Sequence, residues 1–146
     1  SISLNENNYD VSIHHNNKNC TSNTNIHGLT IDNNSIYIKN NGYIPNGSEK
    51  SVLHQDNKII VMNDNKSKIE PNLFIDEYDV EASHGAYIGK FDEEELFYLN
   101  SRGLDENKCY ELLINGFLLN EFNITDDVKD DLKKIIKKYW RWKNEL

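Results

Sequence analysis

The chain has 146 residues, 37% of them apolar, with a formal net charge of −8, a pI near 5.0 and a mean hydropathy of −0.75. That length supports one domain, or one with a small appendage, and can bury a real core. The acidic balance and the lack of a basic stripe argue against a nucleic-acid partner, because phosphate contacts need clustered Lys and Arg.

No apolar run is long enough to span a bilayer, and no signal peptide is visible. Cys20 and Cys109 lie far apart in unlike contexts and form neither a zinc pattern nor a disulfide framework, which reads as a reducing compartment. The chain begins Ser-Ile-Ser without a methionine.

Asparagine fills 17 of the first 72 positions. Such a bias fits either disorder or a turn-rich repeat. Regular apolar bursts favour the second: Tyr9 to Ile13, Ile26 to Ile31, Ser35 to Ile38, Lys58 to Met62, Leu73 to Ile75 and Ala86 to Ile88 read as strands. Asn-Asn, Asn-Gly and Asp-Asn pairs between them tolerate close turns. Many short strands fit a sandwich, a barrel or a β-helix. Strands of about three to five residues, with asparagines able to stack in ladders between coils, point to the β-helix, while the lack of a strict repeat leaves the sandwich open.

His14, His15, His27 and His54 read as surface or turn histidines. The adjacent His14 and His15 face opposite sides of a strand and cannot chelate one ion from there. Cys20, near a turn and without a fixed basic neighbour, reads as unreactive.

From Asp79 to Leu104 the strand pattern gives way to helical spacing. His84 stands there between small neighbours, in Ser83-His84-Gly85-Ala86. On local sequence alone it is a hydrogen-bonded, half-buried ring, since no metal-binding partner lies nearby in the chain. Asp92 is a good N-cap with Glu95 completing a capping box. Leu96, Leu99 and Arg102 follow at helical spacing to a left-handed stop at Gly103. The acidic run Asp92 to Glu95 complements a helix dipole and needs no catalytic duty. A second helix starts from Asp105, with Cys109, Leu112, Leu113 and Phe117 on one face and Cys109 as core filler. The third follows Thr125, striped by Val128, Leu132, Ile135, Ile136 and Tyr139. Its cations Lys133, Lys134, Lys137, Lys138, Arg141 and Lys143 read as a solvated face.

Asp79-Val80, Ser83-His84-Gly85-Ala86, Gly89, Asp92-Glu93-Glu94, Leu96-Phe97-Tyr98-Leu99, Ser101-Arg102-Gly103-Leu104 and Leu113 to Leu118 together resemble the C-terminal signature of the SufB/SufD family. These are the scaffold subunits of the SUF iron–sulfur cluster assembly system. Cys20-Thr21-Ser22, Asn41-Gly42, His54-Gln55 and Glu70-Pro71-Asn72-Leu73 resemble earlier landmarks, so the likeness covers about residues 9 to 120.

The resemblance implies a mainly β fold with a C-terminal α part. Residues 1–91 would be the C-terminal coils of a right-handed parallel β-helix, and residues 92–146 a helical ATPase-docking subdomain, both from a longer protein. It also implies a non-enzymatic scaffold that pairs through β-helix edges with a second scaffold subunit, a copy or a paralogue, and binds the SUF ABC-type ATPase in the cytoplasm or a plastid. Leu96, Phe97, Tyr98, Arg102 and Leu118 match the docking region and are candidates for that contact or for the helical subdomain's own core. His84 falls on the interface histidine implicated in building the nascent cluster, which makes it a candidate metal ligand. A transient iron–sulfur cluster is expected on the full assembly, with none held tightly by this segment. Ala82 and Asp56 stand where relatives carry cysteines, so the chain resembles SufD, or the single scaffold of a simpler system. A pure interaction module with a structural His84 is the alternative. A β-helix enzyme is the remaining one, but the aliphatic-glycine hexads of acyltransferases and the clustered acids of polysaccharide-cleaving enzymes are missing.

Overall fold

The computed structural model describes residues 6–32, 34–63, 66–120 and 122–144. The chain divides into two compact units, Ser1–Lys90 and Phe91–Leu146.

The first unit holds six strands: β1 (Asn7–His14), β2 (Thr21–Thr30), β3 (Ile36–Ile44), β4 (Ser51–Val61), β5 (Lys68–Ile75) and β6 (Val80–Gly89). They form two three-stranded sheets, β1-β3-β5 and β2-β4-β6, and every pairing is parallel. Each strand pairs with the next but one, at an offset of 29 to 31 residues, so the chain steps from one sheet to the other and back. This is not the antiparallel order of a common sandwich.

All six expected strands coincide with these elements to within one residue at an end, but the strands run to 8–11 residues rather than three to five. Their polar centres hid the true length, because Asn, Gln and Gly are poor strand formers in isolation. Here side-chain hydrogen bonds hold them. Asn72 Nδ2 donates to Asn41 Oδ1 at 3.0 Å, and Asn41 Nδ2 donates to Asp10 Oδ1 at 3.1 Å, a ladder running across β5, β3 and β1. On the same sheet His14, Tyr43 and Phe74 stack in register, with ring centroids 4.2 and 4.8 Å apart.

Between the sheets the core mixes two kinds of group. Ile38, Ile44, Leu53 and Ile59 are buried, and beside them Asn40 and Asn57 are both 0% exposed. Asn40 Nδ2 donates to Asn57 Oδ1 at 2.9 Å, joining β3 to β4 across the interior. Gly42 permits the close approach of the sheets at this level: a Cβ there would lie 2.8 Å from a Leu53 methyl and 3.1 Å from Gln55 Nε2.

On the outer surface Tyr37 Oη donates to Glu70 Oε2 at 2.5 Å and Lys68 Nζ approaches the same oxygen at 3.1 Å. The phenol first, then the ammonium, hold the Glu70 carboxyl down at about 2. A depressed folded-state value means the stabilisation is present above the ordinary 4.5 and is lost as pH falls toward 2. Tyr37→Phe should therefore soften the acid-dependent loss of stability across that window and leave the neutral-pH slope unchanged, as read from urea midpoints at a series of pH values.

The second unit is helical: α1 (Glu93–Ser101), α2 (Glu106–Asn115), a π-helical turn over Gly116–Asn120, and α3 (Asp126–Asn144). Asp92 caps α1 by accepting from Glu94 N at 2.9 Å, Gly103 takes φ +88° after it, and Asp105 caps α2 through Lys108 N at 2.9 Å. Among the described residues Cys109, Ile114, Leu119 and Trp140 are buried. Cys109 is core, as its spacing indicated, but Leu112 is 44% exposed and Ile114 takes the inside position. In the π-turn that follows, Leu119 is buried and Phe117 half-buried. Val128 and Ile135 of α3 are exposed, and Leu132 and Ile136 half-buried. The side chains of Tyr139, Arg141 and Lys143 lie outside the described residues. Among the described residues no helix is long and apolar enough to cross a membrane.

Candidate functional site

Strand alternation decides where His84 points. On β4 the odd residues Leu53, Gln55, Asn57 and Ile59 are buried between the sheets. Their register partners on β6 are Ala82, His84, Ala86 and Ile88. The intervening β6 residues belong to the outer face: Ser83 Oγ lies 2.6 Å from His54 Nδ1, Glu81 lies 3.5 Å from His54 Nε2, and a Cβ at Gly85 would meet Asp56 Oδ1 at 3.4 Å. His84 therefore occupies the row that is core on β4, yet it is exposed, as is Ile88 at 43%.

The cause is position in the stack. β5 and β6 are the last strands of their sheets, so their inner rows meet no further coil among the described residues. His84 stands on an open end of the core, exposed rather than the half-buried ring that local sequence suggested. Asn57 Nδ2, donating to Gly85 O at 3.0 Å, and the His54–Ser83 contact fix the backbone on both sides of it.

Ala82 shares the His84 row, two residues away, while Asp56 sits on the outer face paired with Lys58 at 2.9 Å. Of the two, only Ala82 borders the imidazole. Among the described residues no group of three or more His, Cys, Asp and Glu side chains is arranged to hold a metal ion. His84 supplies a single imidazole donor, and further ligands would have to come from another surface.

The remaining histidines are spread through the unit. His14 is exposed and stacks on Tyr43, whereas its neighbour His15 is buried, against the surface or turn reading, with Nε2 2.7 Å from Ser22 Oγ. Burial lowers the His15 pKa and keeps the ring neutral. Cys20 is half-buried, its amide donating to Ser51 Oγ at 3.2 Å.

In the helical unit the residues matched to a docking region separate into two groups. Leu96 and Leu118 are half-buried in the unit's own packing. Phe97 is 74% exposed, Tyr98 and Arg102 are exposed, and the Arg102 guanidinium lies over the Tyr98 ring at 5.0 Å. Beside them is an open hollow of about 350 Å³ lined by Asp92, Glu94, Glu95, Tyr98, Leu99 and Leu113. It is apolar at its floor and acidic at its rim.

One residue of the site carried no signal in the sequence beyond its place beside His54. Gln55, 3% exposed, is the register neighbour of His84.

A parallel two-sheet β unit that ends in an exposed histidine and is followed by a helical unit defines a class. The model of the family described as SUF system FeS cluster assembly, SufBD core domain, matches residues 5–117, and the chain belongs to that family. Among its relatives, the iron-sulfur cluster assembly protein SufD of Bacillus subtilis is 34% identical over 77% of this chain and 26% of its own length. An iron-sulfur cluster assembly SufBD family protein of Pyrococcus horikoshii is 39% identical over 66% of this chain and 22% of its own length. The SufD of Escherichia coli is 36% identical over 42% and 14%. The chain thus spans about a quarter or less of the length of these relatives.

Proposed function

We propose that this chain is the C-terminal part of a SufD-like scaffold subunit in which the two-sheet unit forms the last coils of a right-handed parallel β-helix. Its exposed His84 would be presented to a second scaffold subunit, where it ligates iron while a cluster is built. The observation that carries this reading is the exposure of His84 on a row whose register partners on β4 are core. A second surface must cover an apolar, hydrogen-bonding row of this kind, and a neutral imidazole within it is a ready iron ligand. The cluster is cargo made on the assembly, not a resident group, and thiolate ligands would come from elsewhere in that assembly.

The test is anaerobic cluster reconstitution of the full-length scaffold with its partners, wild type beside His84→Ala. Loss of visible absorbance and of bound iron in the variant is the expected result. Equal values would remove the cluster role from His84.

The helical unit would dock the SUF ATPase through Phe97, Tyr98 and Arg102. These side chains are exposed, so truncating them costs the fold little, whereas aromatic and arginine anchors dominate interfaces. Phe97→Ala combined with Tyr98→Ala should weaken ATPase binding by about 30-fold or more in a titration and leave the melting temperature unchanged. A second reading, in which the chain is purely an interaction module, is favoured by the single donor at the His84 site. Under it, ATPase binding depends on Phe97 and Tyr98 while cluster yield ignores His84.

A further inference from the structure

The interior amide network leaves one atom over. Asn40 Nδ2 is committed to Asn57 Oδ1, so Asn40 presents only oxygens toward Gln55. Gln55 Nε2 lies 3.2 Å from Asn40 Oδ1 and 3.4 Å from Asn40 O, and both are acceptors. The amide orientation is therefore fixed by its partners, and Gln55 Oε1 is the free end. That oxygen is buried and has no hydrogen-bond partner among the described residues. A buried carbonyl oxygen in this state is costly, and native structures leave few of them without a purpose. The side chains next to it in the same row, across one strand spacing, are Thr24 on β2 and His84 on β6, and of the two only His84 carries a ring whose proton can sit on either nitrogen.

We infer that Gln55 sets the tautomer of His84: its side-chain oxygen accepts the proton on Nδ1, leaving the Nε2 lone pair directed at the open end of the stack. His84 is exposed, so its ring is free to turn toward the oxygen by rotation about its own side-chain bonds. Nδ1 lies nearer the backbone and its row neighbour, whereas Nε2 is the tip of the ring. Gln55 is thus a positioning residue that prepares the imidazole to ligate through Nε2, in the way that ligating histidines are oriented by an acceptor on the other ring nitrogen. Its value to the assembly rests on the proposed iron-ligating role of His84, but the tautomer itself can be read on the chain alone.

The experiment is a long-range proton–nitrogen correlation spectrum of the ¹⁵N-labelled chain, recorded about two pH units above the ordinary imidazole value of ~6.5 so that the ring is neutral. In the wild type the Nδ1–H tautomer of His84 should dominate. Gln55→Met, which keeps length and removes the amide, should move the tautomer ratio about fivefold toward Nε2–H, the bias one neutral hydrogen bond supports. Should Gln55→Met fail to fold, Gln55→Asn, which draws the oxygen back by one methylene, should give the same shift. A dominant Nε2–H tautomer in the wild type, or equal ratios in the wild type and the folded variant, overturns the inference. A shifted tautomer in Gln55→Met combined with unimpaired cluster formation in His84→Ala keeps Gln55 as the positioning residue and rejects only the iron role.

Discussion

Asn40→Ala should cost the first unit about 2–4 kcal/mol and lower its melting temperature by roughly 10–25 °C, which chemical and thermal unfolding followed by circular dichroism would measure. The size follows from what the substitution strands. Asn57 Oδ1 loses its only described donor, and Gln55 Nε2 loses its nearer acceptor and keeps a 3.4 Å contact to the Asn40 backbone. Asn57 is fully buried and Gln55 nearly so, and leaving one buried polar group unsatisfied costs about 1–3 kcal/mol. Because the network spans β3 and β4, the loss falls on the contact between sheets rather than on either sheet alone. The paired replacement Asn40→Leu with Asn57→Leu is expected to be milder than Asn40→Ala: removing both partners strands no oxygen of Asn57 and leaves the Gln55 donor short of its side-chain acceptor and the part-buried Gly85 O without the Asn57 amide. Double-mutant analysis would show a coupling of at least about 1 kcal/mol between the two positions.

The same asparagines show why parts of the architecture were visible in the sequence and others were not. Apolar bursts such as Lys58 to Met62 located all six strands, because alternation and β-branched residues are local signals. The strand lengths were hidden: Asn40-Asn41-Gly42 and His54-Gln55-Asp56-Asn57 read as turn material, yet the register makes them central strand residues whose amides pair with neighbours 15 to 31 residues away. Pairing at that distance leaves no periodicity to find. The caps at Asp92, Gly103 and Asp105 were legible because each is decided within one helical turn. The inside face of α2 was misread at Leu112 because Leu112, Leu113 and Ile114 are consecutive in a ten-residue helix, too short for spacing to decide which of them faces inward. For the site, the motif around His84 identified the residue, but its exposure arises from β6 being the last strand of its sheet, a property of the topology. Gln55 became a candidate only through the register and the orphaned oxygen.

Under the proposed pairing with a second scaffold subunit, Ile88→Glu should weaken association by about 30-fold or more in sedimentation or titration, while the melting temperature of the isolated subunit changes little. Ile88 stands on the row of Ala82, His84 and Ala86, and at 43% exposure it contributes only part of its side chain to the subunit's own core. Ile75, on the matching row of β5 and 44% exposed, extends the same apolar surface across to the other sheet. Both side chains have fully buried counterparts one coil earlier, Ile59 and Ile44, so the exposed pair marks the level at which the core stops being covered by its own chain. If a second scaffold subunit covers it, a carboxylate at position 88 is buried without a partner on association, which costs several kcal/mol, whereas in the free subunit it remains hydrated. Ile59→Glu supplies the contrast: there the charge enters the closed core, and the subunit itself should fail to fold. An Ile88→Glu subunit that pairs normally would show that the surface bearing His84 is not where the two scaffolds meet.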